Sequence, residues 1–313
     1  KSSVESGNLF LSPQNSDSDP LLTTLKDVFG HSAFRHGQRE VIEAALRQND
    51  VCVFWATGTG KSLCYQFPAF YLQKPVIVVS PLISLMQDQV HKLNSMFKNP
   101  VAQFLGSAQK DAYEEERALR GEYLLIYCSP EKLTSDGFLG RLKTLDEIRG
   151  IGLFAIDEAH CISSWGADFR REYAALGKIR HALPLVPIMA ATATADARQR
   201  ADVQRQLGLS PDKTFVASGS IDRPNLYLSV KRKTSLGRTL SDQLSRLVKS
   251  LLESPDSTII YTPTRAAAER VQKELVDQIK AQLNRSSSPL HAAWNNPSSA
   301  IQVYHAGMST DQR

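Results

Sequence analysis

The run Phe54–Ser62, FWATGTGKS, constrains this chain more than any other segment. It follows an unbroken apolar stretch, Val51 to Trp55, which suits a strand buried on both faces. It leads into a helical pattern over residues 62–72. Gly58 and Gly60 let the backbone curl between the two. A curled turn and a helix N-terminus present N–H groups and a favourable dipole to an anion. The pattern therefore predicts a phosphate loop made of Thr57, Gly58, Thr59, Gly60, Lys61 and Ser62. Lys61 is placed to reach the β- and γ-phosphates of a nucleotide, and the Ser62 hydroxyl to ligate Mg²⁺. Trp55 stands where G-x-x-x-x-G-K-[ST] has its first Gly, so the run by itself also fits a glycine-rich turn ending in a surface lysine.

A second run separates these readings. Ile151–Ile156, IGLFAI, reads as another buried strand and ends directly in Asp157-Glu158-Ala159-His160. Carboxylates at the C-terminal end of a parallel strand face the crevice where α/β sheets bind ligands. Asp157 is placed to hold Mg²⁺, and Glu158 to orient or deprotonate an attacking water. His160 falls one step outside the metal shell. An acidic loop capping a strand is common, but this one follows a phosphate loop. The expected catalytic set is Lys61, Asp157, Glu158 and His160, with ATP and Mg²⁺ as cofactors.

Strand-like runs at 51–55, 76–80, 101–105, 123–128, 151–156, 187–192 and 214–218 alternate with helical patterns at 22–29, 37–48, 62–72, 82–97, 111–119, 169–182 and 196–207. That alternation predicts an α/β fold, a parallel sheet with helices on both faces. The pattern restarts after Pro224, with strands expected at 226–230, 257–261 and 300–304 and helices at 239–253 and 264–283. Three segments follow: a flexible leader over 1–20, an ATP-binding lobe over 21–224, and the start of a second, incomplete lobe over 225–313. The Ser/Asn/Pro-rich stretch Asn284–Ser299 reads as a surface loop. No apolar run nears the ~18 residues of a membrane span, so no membrane partner is expected. The net charge of +5 permits nucleic-acid binding without requiring it. Cys52, Cys64, Cys128 and Cys161 form no C-x-x-C pair and read as reduced, buried thiols, with no zinc site.

Further motifs line up around these two. They are FGHSAFRHGQREVI (Phe29–Ile42), VVSPLISLMQDQV (Val78–Val90), YCSPEKL (Tyr127–Leu133) and DEAHCISSWGADFRREY (Asp157–Tyr173). ATATA (Ala191–Ala195), DRPNLYL (Asp222–Leu228), IIYTPTR (Ile259–Arg265) and YHAGMS (Tyr304–Ser309) follow. In this order, over residues 21–313, they resemble the RecQ family of superfamily 2 DNA helicases. LGSAQ (Leu105–Gln109) and RPNLYLSVKRKT (Arg223–Thr234) look closest to its Werner-type branch, and a nuclear location is implied by that likeness alone.

The resemblance implies two RecA-like lobes and ATP-driven 3′–5′ unwinding of single-stranded and forked DNA. An RNA helicase or duplex translocase of the same superfamily, or a non-catalytic ATP- or DNA-binding module, are the rival readings. Phe29, Arg35 and Gln38 match the family's adenine-recognition motif, with His31 where an aromatic, usually Tyr, is common. Trp165, Phe169 and Arg170 match its aromatic-rich loop, where bases stack and DNA binding is coupled to hydrolysis. Ala167 and Arg171 replace a usual His and Pro there. Thr192 and Thr194 match the motif linking the nucleotide site to the cleft between lobes. Ser80-Pro81 and Ser129-Pro130 end strands, where the serines can meet a DNA backbone or simply make turns. The family's later motifs, including a second-lobe arginine that completes the ATP site, are expected after Arg313. Residues 1–313 are accordingly expected to bind nucleotide and to hydrolyse it poorly. Protein partners are not legible.

Overall fold

The structure, a computed structural model, describes residues 19–106, 111–135, 137–162, 173, 175–220, 222–230, 240–254, 256–285, 292–305 and 307–309. The chain divides into two compact units, Lys1–Leu226 and Tyr227–Arg313.

In the first unit, seven strands form one sheet: β1 Asp50–Phe54, β2 Val76–Val79, β3 Ala102–Leu105, β4 Leu125–Cys128, β5 Leu153–Ile156, β6 Ile188–Thr192 and β7 Thr214–Ser218. Their order is β3-β4-β2-β5-β6-β1-β7, and every pairing is parallel. All seven strands expected before Pro224 are present. Successive residues of a strand point to opposite faces, so each strand feeds two cores. Cys52, Phe54, Ile77, Val79, Ile126, Phe154 and Ile156 pack on one face. Val51, Val53, Val76, Val78, Tyr127, Leu153 and Ala155 pack on the other. A sheet covered on both sides needs continuous apolar strands, which is what the sequence supplies.

The second face is covered by α1 Pro20–Phe29, α2 Gln38–Leu46, α3 Lys61–Leu72 and α4 Ile83–Ser95. The first is covered by α5 Ala112–Leu119, α6 Pro130–Thr134, α7 Phe138–Arg149, α8 Lys178–Ala182 and α9 Ala197–Gln206. Helices α6 and α7 were not expected. Ser129 caps α6, its hydroxyl accepting from Lys132 N at 3.3 Å, and Pro130 occupies the first turn. Of the helix expected over 169–182, residues 169–172 and 174 lie outside the described residues, Ala175–Gly177 form a 3₁₀ turn, and only α8 is α-helical. No helix among the described residues is long and apolar enough to cross a membrane.

The second unit contains α10 Leu240–Glu253, α11 Arg265–Leu283 and the short α12 Pro297–Ala300. The strands expected at 226–230, 257–261 and 300–304 are not formed. A strand exists through its hydrogen-bonded neighbours, and these segments have none among the described residues; Ile259, Tyr261 and Tyr304 are exposed. The expected surface loop also needs correction. Trp294 is buried among Val248, Leu251, Leu275 and Ile279, and its Nε1 donates to Leu251 O at 3.1 Å. An indole with its N–H satisfied is a core side chain.

Asp50, at the start of β1, accepts from Arg180 Nη2 at 2.5 Å and from Ile188 N at 2.9 Å, fixing β1 against β6. Asp50→Ala removes both bonds and is expected to lower unfolding free energy by about 2 kcal/mol. Asp50→Asn keeps an acceptor for Ile188 N and should cost less. Urea unfolding of the two variants checks the difference.

Candidate active site

The strand order sets the site. The loop after β1 and the DEAH turn after β5 flank β6, whose last residue, Thr192, lies between them; Phe54 is in register with Thr192. All three strand ends open on the C-terminal edge of the sheet, where α/β ligands bind.

Gly60, at φ 92°, ends the loop and caps α3, and Gly58 has φ 82°. Only glycine takes these conformations cheaply. Side chains from elsewhere in the unit hold the loop by its carbonyl oxygens. Arg35 Nη1 donates to Gly58 O at 2.8 Å, and Gln38 Nε2 to Gly60 O at 3.1 Å. Arg223 Nη1 donates to Thr57 O at 3.0 Å. A peptide is trans and planar, so an N–H points opposite to the C=O before it. The N–H groups of Gly58, Thr59 and Lys61 therefore point away from the clamp. No described residue accepts from the N–H of Thr57, Gly58 or Thr59. Thr59 Oγ1 donates to Ala56 O at 2.8 Å, which tightens the turn. A Cβ on Gly60 would meet Gln38 Nε2 at 2.4 Å, so clamp and glycine require each other.

Lys61 Nζ donates to Trp55 O and Ala56 O at 3.0 and 3.1 Å. Burial lowers its pKa, while the carboxylates of Glu158 and Asp157 oppose that shift. Ser62 stands beside it in the first turn of α3. Asp157 is buried, and burial followed by the Glu158 charge pushes its carboxyl up to about 6. Its Oδ1 accepts from Glu158 N at 3.0 Å and its Oδ2 from Tyr65 OH at 3.3 Å.

Glu158 has φ 49°, in the left-handed region that non-glycine residues rarely adopt. Such strain persists where the surroundings enforce it. Here His160 does so: its Nδ1 lies 3.2 Å from Glu158 Oε2 and 2.9 Å from Thr192 Oγ1. Thr192 Oγ1 also accepts from Thr194 N at 3.2 Å. The His160 partnership holds the Glu158 carboxyl below its ordinary pKa. Cys161 Sγ, 3.7 Å from Nε2, and Glu158 together push His160 up to about 9. The imidazolium thus joins the DEAH turn to the end of β6. Cys161 is half-buried, unlike the fully buried Cys52, Cys64 and Cys128.

Several expected contacts sit differently. Gln38 is 2% exposed; its Oε1 accepts from Arg35 N at 2.8 Å while Nε2 holds Gly60 O, so the amide serves the loop and is not open to a base. Phe29 packs into the aromatic core, stacked on Phe67 at 6.1 Å and edge-on to Phe70 at 5.4 Å. The Ser80 hydroxyl is buried without a partner among the described residues, and the Ser129 hydroxyl caps α6. Trp165, Phe169 and Arg170 lie outside the described residues. Sequence reasoning missed Arg223, although it sits in the DRPN segment, and Tyr65, one turn after Lys61.

The DEAD/DEAH box helicase family matches residues 35–203, more than half of the chain. The chain is 41% identical, over 98% of its length, to the bifunctional 3′-5′ exonuclease/ATP-dependent helicase WRN of Mus musculus, of which it covers 21%. It is 39% identical, over 92% of its length, to the ATP-dependent DNA helicase RecQ of Haemophilus influenzae, of which it covers 42%. It belongs to the RecQ branch of the DEAD/DEAH box helicases. The chain spans about a fifth of the mouse relative and about two fifths of the bacterial one. Among solved structures, the helicase MrfA bound to DNA and AMPPNP superposes with a TM-score of 0.65 at 16% identity, covering 87% of this chain and 40% of that one. That likeness is one of fold: a RecA-like sheet shared by helicases.

The Glu158–His160 ion pair is expected to persist at neutral pH and to be lost as pH rises through about 9. Because His160 is raised, it should titrate well above the usual ~6.5 by imidazole NMR. Glu158→Gln should bring that titration down. An unshifted His160 in the unsubstituted chain would contradict the geometry.

Proposed function

We propose that these 313 residues carry the nucleotide site of an ATP-dependent DNA helicase that unwinds DNA in the 3′–5′ direction. One observation carries the reading. The clamped loop with Lys61, the Asp157-Glu158 pair and Thr192 occupy three neighbouring strand ends in a chain of the RecQ branch.

Lys61 neutralises charge on the β- and γ-phosphates, and the free loop N–H groups donate to phosphate oxygens. The donor set fits Mg²⁺, which takes one or two carboxylates with the rest of its shell from water and phosphate. Asp157 supplies the carboxylate and Ser62 the hydroxyl. When bound, Mg²⁺ would neutralise charge developing on the phosphoryl oxygens. Among the described residues, no group of three or more His, Cys, Asp or Glu forms a closed metal cage. Glu158, held ionised by His160, orients the attacking water and accepts its proton. His160 and Thr192 keep Glu158 in its strained position and join it to β6. Contact with single-stranded or forked DNA is assigned to Trp165, Phe169 and Arg170 by the family resemblance. A nuclear location rests on the likeness to the mouse protein, and the comparable likeness to a bacterial one does not favour it.

In the whole protein, Lys61→Ala is expected to abolish nucleotide binding and ATPase activity. Glu158→Gln should retain ATP binding and stop turnover, because an amide keeps the shape and cannot take a proton. ATP turnover should rise with single-stranded DNA and not with RNA. Normal turnover by Glu158→Gln would remove the role given to that carboxylate, and stimulation by RNA alone would favour an RNA helicase.

A further inference from the structure

Behind Asp157 lies a polar cluster of two buried tyrosines and two half-buried glutamines. Tyr65 is fully buried, four residues after Lys61 and so on the same side of α3. Its hydroxyl is 3.3 Å from Asp157 Oδ2 and 3.1 Å from Gln89 Oε1 on α4. Two other donors also reach Gln89 Oε1, Tyr127 OH and Gln66 Nε2, each at 3.1 Å.

A phenol has one proton to give, and an amide oxygen has two lone pairs. Three donors thus face two acceptor positions on Gln89. Tyr127 and Gln66 have no hydrogen bond to Asp157, whereas Tyr65 does. Gln66 Nε2 also donates to Tyr127 OH at 3.0 Å, so the count alone leaves Tyr65 to donate to Gln89 or to Asp157. Bonds to a charged acceptor are the stronger ones, which favours donation from Tyr65 to Asp157. With Glu158 N on Oδ1 and Tyr65 OH on Oδ2, both carboxylate oxygens are fixed and the plane of the carboxylate is set.

We propose that Tyr65 is a positioning residue for the cation-holding carboxylate, its proton given to Asp157 because that acceptor is charged. The proposal rests on the reading of Asp157 as the Mg²⁺ ligand. One helix then carries the phosphate lysine, the Mg²⁺ hydroxyl and the residue that aims the carboxylate: Lys61, Ser62 and Tyr65. Partners of ligating carboxylates are known to tune metal affinity in this way.

The test is binding of a fluorescent ATP analogue to the 313-residue chain as Mg²⁺ is varied, with Mn²⁺ binding followed in parallel by electron paramagnetic resonance. Tyr65→Phe keeps the ring and loses the hydroxyl. It should raise the Mg²⁺ midpoint by about 10-fold. Nucleotide affinity without Mg²⁺ should not change. Tyr127→Phe removes an equally buried phenol from the same cluster and should leave the midpoint where it is. An unchanged midpoint in Tyr65→Phe overturns the proposal. So does an equal rise in Tyr127→Phe, which would show general loosening of the cluster. Absence of any Mg²⁺ dependence in the unsubstituted chain overturns the reading of Asp157 and this proposal with it.

Discussion

Arg35, Gln38 and Arg223 grip the carbonyl oxygens of Gly58, Gly60 and Thr57, and the rest of the site depends on that grip. A glycine-rich loop has many conformations, and nothing intrinsic turns its N–H groups toward one point. Fixing three carbonyls from outside does so, because each trans peptide carries its N–H opposite its C=O. The clamp draws on distant parts of the first unit: the turn before α2, the start of α2, and the segment after β7. The loop's shape is therefore a property of the folded unit, and the nine-residue motif alone does not determine it. Gly60 is held to glycine twice, by its positive φ and by the Gln38 amide standing where a side chain would begin.

The sheet supplies the second constraint. With β6 between β5 and β1, the carboxylate turn and the phosphate loop stand on either side of Thr192. His160 spans from Glu158 to Thr192 and keeps Glu158 at a backbone angle it would not otherwise hold. That strain, of roughly 1–3 kcal/mol for such residues, is sustained by the ion pair and by the buried strand behind it. The DEAH turn is consequently stiff, as the water-activating role proposed for Glu158 requires.

Much of the first unit was legible in the sequence because a doubly covered parallel sheet leaves a plain signal. Runs such as Val76–Val79 and Leu153–Ile156 are apolar at every position. Helices α6 and α7 were hidden because Ser129-Pro130 reads equally as a turn and as a cap with proline in the first turn. The apolar runs at 257–261 and 300–304 look like strands, but a strand needs pairing partners that local composition cannot supply. Trp294 sits in a stretch of loop-like residues that masks it, although a lone indole there is a packing signal. At the site, the residues proposed to touch phosphate and cation carry strong motif signals. Those that position them do not. The motif around Gln38 names the residue type and not its direction, so it does not show that the amide holds the loop. Arg223 and Tyr65 act through single hydrogen bonds to atoms 166 and 92 residues away in sequence. No spacing rule reaches that far.

The central claim is that the loop's N–H groups are preset, unpaired and waiting for phosphate. Backbone amide exchange over Thr57–Ser62, resolved residue by residue with and without ATP·Mg²⁺, tests it most directly. The account predicts that Gly58 and Thr59 exchange readily in the free chain, where no described residue accepts from them, and slow markedly when nucleotide binds. Exchange at Gly58 and Thr59 that stays the same while nucleotide is bound would contradict it.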